Sequence, residues 1–248
     1  MSDTKTIVFI GASGGCGLAA LRKALQHSDS TICIALCRNP SKLTDVFPPS
    51  SHPNLVVKQG NAHSVEDIKS VLINPSDPTQ LVDALCFTIG SPMNFSKLST
   101  EDPHVCERGI STVLRALSDL RSTGAVGKPH ICAVSTTDIT AKRDVPLLML
   151  PFYHYVLGVP HKDKAAMEEG LRVAVGEGEE VTIVRPSLLT DGEETGAEVR
   201  VGVDDVRTGE RESEAVGYTI GRADVGKWMW ENVLREGGYG GKSVSITY

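Results

Sequence analysis

The stretch Thr6-Ile-Val-Phe-Ile10-Gly11-Ala-Ser-Gly14-Gly-Cys-Gly17 decides the fold class. Its first five residues are an unbroken apolar run, the pattern of a strand covered on both faces. Gly11, Gly14 and Gly17 follow at G-x-x-G-x-x-G spacing, and Leu18, Leu21 and Leu25 then recur at helical spacing. Glycines permit a tight turn, let backbone approach an anion and let the helix pack close to the strand. The free N–H groups at the helix start then face that anion. The bare string is common, and a tight turn without ligand is the competing reading. Its place between a predicted strand and a predicted helix is what favours a diphosphate-binding turn over Gly11 to Gly17, with Gly14 and Gly15 at its centre.

Outward from this turn the same alternation continues. Thr31 to Cys37 is a second apolar run, Leu55 to Val57 a third, Val82 to Ile89 a fourth, His130 to Val134 a fifth and Val181 to Val184 a sixth. Helical periodicity lies between them at Ser64 to Leu72, Pro103 to Arg121 and Lys162 to Val173, with Ser64 and Asp67 in capping-box positions. Pro75-Ser-Asp-Pro78 marks a loop. Alternating strands and helices predict a doubly wound parallel sheet, an α/β Rossmann-type fold. Beyond Arg185 the pattern loosens into Gly-, Asp- and Glu-rich sequence, with a strand-like piece at Glu198 to Val203, a helix at Asp224 to Leu234 and a closing strand at Ser243 to Tyr248. The expected organisation is one domain over residues 1–248: a cofactor-binding core, 1–185, and a small substrate-side lobe, 186–248, without its own core.

Composition narrows the function classes. The 248 residues are 40% hydrophobic and 23% charged, enough apolar matter for one sizeable core. Net charge is -6 with no basic stripe, so binding driven by nucleic-acid phosphates is not expected. No cysteine pair has C-x-x-C spacing, and reduced, buried thiols are expected at Cys16, Cys33, Cys37, Cys86, Cys106 and Cys132. The opening residues carry no basic-then-apolar leader pattern. The greasy run from Val145 to Pro160 is broken by Pro146 and Pro151, too interrupted to span a bilayer. A cytoplasmic location with no membrane span is expected.

The end of the second strand discriminates between dinucleotides. An acid there would bind the ribose 2′-OH of NAD, whereas an arginine suits the 2′-phosphate of NADP. The sequence reads Cys37-Arg38-Asn39-Pro40-Ser41-Lys42, with no acid. Arg38 can pair bidentately with a phosphate, assisted by Ser41 or Lys42, and a solvated loop arginine is the alternative. The cofactor expected is therefore NADP(H).

These pieces, with VVKQGNAHSVEDI, DALCFTIGSP, AVSTTD, KDKAAMEEGLR, VTIVRPSLLTDG and GRADVGKWMWENVL, resemble the atypical short-chain dehydrogenases/reductases, especially the NmrA-like and biliverdin IXβ reductase-like groups. The resemblance covers most of the chain except roughly 141–160 and 193–214. It implies that Gly11, Ser13, Gly14, Cys16 and Gly17 line the pyrophosphate turn and Arg38 the 2′-phosphate, that Asn61 and Ala62 lie beside the adenine, and that Ile89 and Gly90 flank the ribose and nicotinamide. Pro186, Ser187 and Leu188 would turn beneath the nicotinamide, and Ser135 would hold the active-site serine position. One departure stands out: aligning the superfamily's Tyr-x-x-x-Lys on Lys164 puts Pro160 where the tyrosine should be. That phenol normally protonates a developing alkoxide. Its loss shifts the expectation toward flavin- or bilin-type acceptors that take their proton from solvent.

Candidate catalytic residues are Ser135, Lys164 and His161, each with a structural alternative. Ser135 can donate to a substrate oxygen or satisfy a turn. Lys164 can bridge ribose hydroxyls or be an exposed helix residue beside Glu168 at i+4, the alternative we favour from sequence alone. His161, Tyr153 and Tyr155 are the nearest substitutes for the missing acid, or pocket lining. The apolar run 145–157 can wall a substrate pocket, with a homodimer contact or plain core as alternatives. No metal-ligand cluster is legible. The sequence thus points to an NADPH-dependent oxidoreductase delivering hydride to a small, largely apolar conjugated or carbonyl acceptor. The alternatives are an NmrA-like protein that senses NADP without turnover and, more weakly, an isomerase or cyclase.

Overall fold

The computed structural model describes residues 4–91, 93–94, 99–100, 102–140, 142–149 and 158–248. A nine-stranded sheet carries the fold. Its strands in chain order are β1 (Lys5–Ile10), β2 (Thr31–Cys37), β3 (Leu55–Gln59), β4 (Ala84–Phe87), β5 (His130–Val134), β6 (Val181–Pro186), β7 (Arg200–Asp205), β8 (Arg211–Ser213) and β9 (Lys242–Thr247). They lie side by side as β8-β7-β9-β6-β5-β4-β1-β2-β3. Pairings from β3 to β9 are parallel, and β7 and β8 extend the far edge antiparallel. Strand order reverses at β1, which pairs with both β2 and β4. In open α/β sheets the crevice at such a switch point, beyond the carboxyl ends of the strands, is where ligands bind. The doubly wound α/β expectation holds.

Both faces are covered, which explains the unbroken apolar runs of the central strands. On one face, α1 (Gly15–Leu25) and a C-terminal helix α5 (Arg222–Met229) bury Leu21, Ala24, Val225 and Met229 against Ile7, Phe9 and Ala35. On the other, α2 (Val65–Leu72), α3 (Val105–Ser122) and α4 (Gly158–Gly176) bury Ile68, Val113, Met167 and Leu171 against Val8, Leu85 and Ile131. All six cysteines are unpaired and buried within these layers.

Four local expectations needed correction. The 75–78 segment is the tip of an antiparallel hairpin, Ile73–Asn74 with Asp77–Leu81, and Pro78 is tolerated in this short two-stranded ribbon. The last helix does not run unbroken to Leu234: it gives way after Met229 to a π turn, Trp230–Leu234, closed by Arg235 N–H donating to Trp230 O (2.9 Å), which puts Trp230 in the core. α4 begins at Gly158, earlier than its apolar periodicity suggests. Pro160 fits there because first-turn N–H groups have no intrahelical acceptor to lose. Finally, the segment after Arg185 contributes β7, β8 and β9 to the main sheet, while Leu188–Thr190 pairs in parallel with Thr219–Gly221 beside it.

Candidate functional site

The glycine turn is shaped by a residue the sequence did not single out, Thr88. Gly11 has φ +96°, and a Cβ on it would lie 2.8 Å from the carbonyl carbon of Thr88. A Cβ on Gly17 would lie 2.2 Å from Thr88 Oγ1. Thr88 in turn donates from N–H (2.9 Å) and Oγ1 (3.2 Å) to Ile10 O, locking β4's end to the start of the turn. Its only sequence cue was a small hydroxyl residue at the end of a strand, too ordinary to stand out. The outer side of the turn is different. Ser13, Gly14 and Gly15 are exposed, and nothing lies within 4 Å of where a Gly14 side chain would start. Gly14 caps α1 with no side-chain hydrogen bond, so the first-turn N–H groups of α1 have no side-chain acceptor from their cap residue. Cys16 behind them is buried, which pushes its thiol up to about 11, so it remains a thiol.

One strand over, Arg38 leaves the end of β2 exposed, and among the described residues its guanidinium has no hydrogen-bond or ionic partner. Register sets it beside the turn, because Ile10 pairs with Leu36 and the two strands end together. Ser41 Oγ donates to Asn39 Oδ1 (2.8 Å) and is thereby committed to its own loop; Lys42 is exposed. Beyond β3, Asn61 N–H donates to Asp67 Oδ2 (2.8 Å) and Asn61 Oδ1 accepts from His63 N–H (3.0 Å), while Ala62 is half-buried. Ser64 does cap α2, accepting from Asp67 N–H at 3.3 Å, but the Asp67 carboxylate turns to Asn61 instead of closing the box.

Across the switch point, Lys164 Nζ donates to Ile89 O (2.9 Å) and Val134 O (2.6 Å). It is a half-buried cation pinned at the ends of β4 and β5, and the exposed placement beside Glu168 is overturned: Glu168 is buried against Arg185. Its neighbour Asp163, also unremarked in the sequence, accepts from Cys106 N–H and Glu107 N–H (2.9 Å each) and so caps α3 from outside. Ser135 follows β5 with its backbone N–H on Val184 O (2.7 Å); its buried Oγ has no partner among the described residues. That hydroxyl stands one residue past Val134, whose carbonyl holds the Lys164 cation. Burial lowers the His161 pKa to about 4, so its ring is neutral at neutral pH and is not a cationic acid there. Gly90 is exposed and Ile89 half-buried. Ser187, between Pro186 and Leu188, is tied on both counts: its Oγ donates to Thr247 Oγ1 (2.9 Å) and its N–H to Ile246 O (3.1 Å). Phe152, Tyr153, Tyr155 and most of the apolar run 145–157 lie outside the described residues, while Leu147 and Leu148 at its start are exposed.

Comparison with known proteins identifies the family and the fold. A family described as NAD(P)H-binding matches residues 11–236. Reductase pytE of Aspergillus terreus is 36% identical over 272 residues, covering 100% of both chains. Oxidase pynE of Aspergillus niger is 36% identical over 270 residues, covering 94% of each. A wide-type short-chain dehydrogenase/reductase of Veillonella parvula, solved with NADP, has TM-score 0.71 at 13% identity over 98% of this chain and 94% of its own, a likeness of fold. Among the described residues, no helix is long and apolar enough to cross a membrane.

Proposed function

This chain belongs to the NAD(P)H-binding family, in the atypical short-chain dehydrogenase/reductase style, and from that premise we propose that it is an NADPH-dependent reductase of a small, largely apolar conjugated or carbonyl compound. Its membership and its reductase- and oxidase-named relatives make it an oxidoreductase; the preference for NADPH and the acceptor are our reading. The observation that carries the preference is the unspent guanidinium of Arg38 at the end of β2, with no carboxylate beside it.

The open α1 N-terminus and the Gly11–Gly17 backbone take the pyrophosphate, and Arg38 takes the 2′-phosphate. Asn61 and Ala62 lie by the adenine, Ile89 and Gly90 by the ribose, and the Pro186–Leu188 backbone under the nicotinamide. The bound cofactor supplies the hydride; the protein orients it and excludes water. The Ser135 hydroxyl donates to the acceptor oxygen. Lys164, fixed one residue from it at Val134 O, stabilises negative charge developing there. With Pro160 in the first turn of α4 where a tyrosine acid would stand, the final proton comes from solvent. That favours conjugated acceptors whose reduced anion is delocalised. The same proline supports a second reading, an NADP-sensing protein without turnover.

The test is a fluorescence titration with NADPH and NADH, on the protein and on Arg38→Ala. NADPH should bind more tightly, and the substitution should weaken it roughly tenfold or more while leaving NADH unchanged, the size expected for a lost charge-assisted hydrogen bond. Equal affinities in both proteins would remove the NADPH assignment. Turnover with a quinone, flavin and enone panel supports the reductase, and tight binding with no turnover across the panel supports the sensor.

A further inference from the structure

Helices α1 and α5 nearly touch: a Cβ on Gly226 would lie 2.4 Å from Ala19 Cβ and 2.7 Å from Cys16 O. This contact carries the first residue of α5, Arg222, over the glycine turn. Its Cδ and Nε lie 3.6 and 3.9 Å from where a Gly15 side chain would begin. Nη1 is engaged, donating to Asp191 Oδ1 (2.8 Å) and Leu189 O (3.4 Å). Nε and Nη2 have no acceptor among the described residues, so the edge of the planar fork that carries Nε beside the turn is unspent.

The partnership with Asp191 follows from the strand pairing. Thr190 is in register with Gly221, so Asp191 and Arg222 are the next residues of two parallel strands. The Asp191 side chain is 91% exposed, and an ion pair open to water on one side is weak. An arginine at the mouth of an anion cradle, held loosely by an exposed carboxylate, is poised for exchange.

We propose that Arg222 is the pyrophosphate's side-chain cation, held over the turn by Asp191 and released to the phosphates when a dinucleotide binds. The inference rests on the family's dinucleotide binding and is independent of the NADPH preference attributed to Arg38, because the pyrophosphate is common to NADPH and NADH. Two arginines then divide the ligand: Arg38 reads the 2′-phosphate, and Arg222 serves the diphosphate and is blind to it.

The experiment titrates NADPH, NADH and 2′-AMP, which carries the 2′-phosphate but no pyrophosphate, against the protein, Arg222→Ala, Arg222→Lys, Asp191→Asn and Arg38→Ala, with a melting curve for each. Arg222→Ala should weaken both dinucleotides by the same factor, on the order of tenfold or more, and leave 2′-AMP unchanged. Arg222→Lys should retain part of the affinity, since a point charge replaces the fork. Asp191→Asn should tighten both dinucleotides several-fold by removing the competing anion. Dinucleotide affinities within twofold of the parent in a folded Arg222→Ala would overturn the proposal, as would a loss confined to NADPH. Weaker binding in Asp191→Asn would overturn the exchange. A failure of the Arg38 assignment shows up separately, as NADH and NADPH binding equally while the Arg222 effect persists.

Discussion

Arg185 lies near the end of β6 and Arg38 just past the end of β2, in the same sheet, and what surrounds them is opposite. Arg185 is buried. Its Nε donates to Glu168 Oε1 (3.0 Å), Nη2 pairs with Glu168 Oε2, and Nη1 reaches Asp204 Oδ2 (3.4 Å), which Arg211 Nε clasps from the other side through Oδ1 (2.9 Å). Burial works against its charge, but Glu168, Asp144 and Asp204 hold the guanidinium's pKa above its ordinary value. All three guanidinium nitrogens meet carboxylates, joining α4, β6, β7 and β8. At the cradle, Arg38, part of the Arg222 fork, the Ser135 hydroxyl and the α1 N-terminus have donors left over. Charge paired within the chain marks the scaffold here, and polar groups unpaired among the described residues mark the candidate site.

The comparison breaks most easily at the clasp. Arg185→Ala would leave Glu168 buried with its cation gone and Asp204 with Arg211 alone, costing about 3–5 kcal/mol and lowering the melting temperature by roughly 10 °C. Thermal and urea denaturation measure both. A loss near that of an exposed pair, below about 1 kcal/mol, would mean that water reaches the clasp and the contrast with Arg38 is one of degree.

His161 sharpens the comparison, because it lies one turn before Lys164 in α4 and burial acts on its charge too. Its pKa is lowered to about 4 from 6.5, so the folded state refuses a proton that the unfolded chain accepts. The stability this contributes is complete above pH 6.5 and is lost as pH falls through the window down to 4, about 3 kcal/mol at full extent. Buried His130, whose pKa burial also lowers, adds in the same direction. His161→Gln should therefore flatten, not abolish, the fall in unfolding free energy between those limits. An unchanged slope would mean that the ring takes up its proton in the folded state.

What was legible in the sequence follows the same division. β2 and β5 were bounded residue for residue, and β1 nearly so, because central parallel strands are apolar on both faces and their ends coincide with turn residues. The glycine turn and Arg38 were legible because local backbone geometry and one charge at a fixed spacing define them. The clasp was not: Glu168 looked like a helix-surface partner for Lys164 because i+4 spacing is visible in sequence while the approach of β7 is not. Thr88, Asp163 and Arg222 escaped for the same reason. Each acts on an element distant in the chain, Thr88 on the turn after β1, Asp163 on the N-terminus of α3 and Arg222 on the turn before α1. The π turn after Met229 has no compositional mark and depends on Trp230 finding room in the core.

Two glycines of one turn give the smallest stability effect and the finest test. Gly17 faces inward, where a methyl group would meet Thr88 Oγ1 at 2.2 Å and Gly11 O at 2.9 Å; one neighbour is backbone and cannot swing away. Gly17→Ala should cost roughly 1–3 kcal/mol, the range for overpacking a close-packed contact. Gly14 faces outward, with φ -176°, a conformation open to any residue, and nothing within 4 Å. Gly14→Ala should leave stability within about 0.5 kcal/mol of the parent, or raise it slightly by narrowing the unfolded ensemble. Its methyl group would nevertheless stand at the α1 N-terminus where the proposed pyrophosphate lies, and dinucleotide affinity should fall tenfold or more in the same titration. If Gly14→Ala binds as well as the parent, the pyrophosphate does not lie on the outer side of this turn, and the reading of the cradle fails at its centre while the fold and the clasp stand.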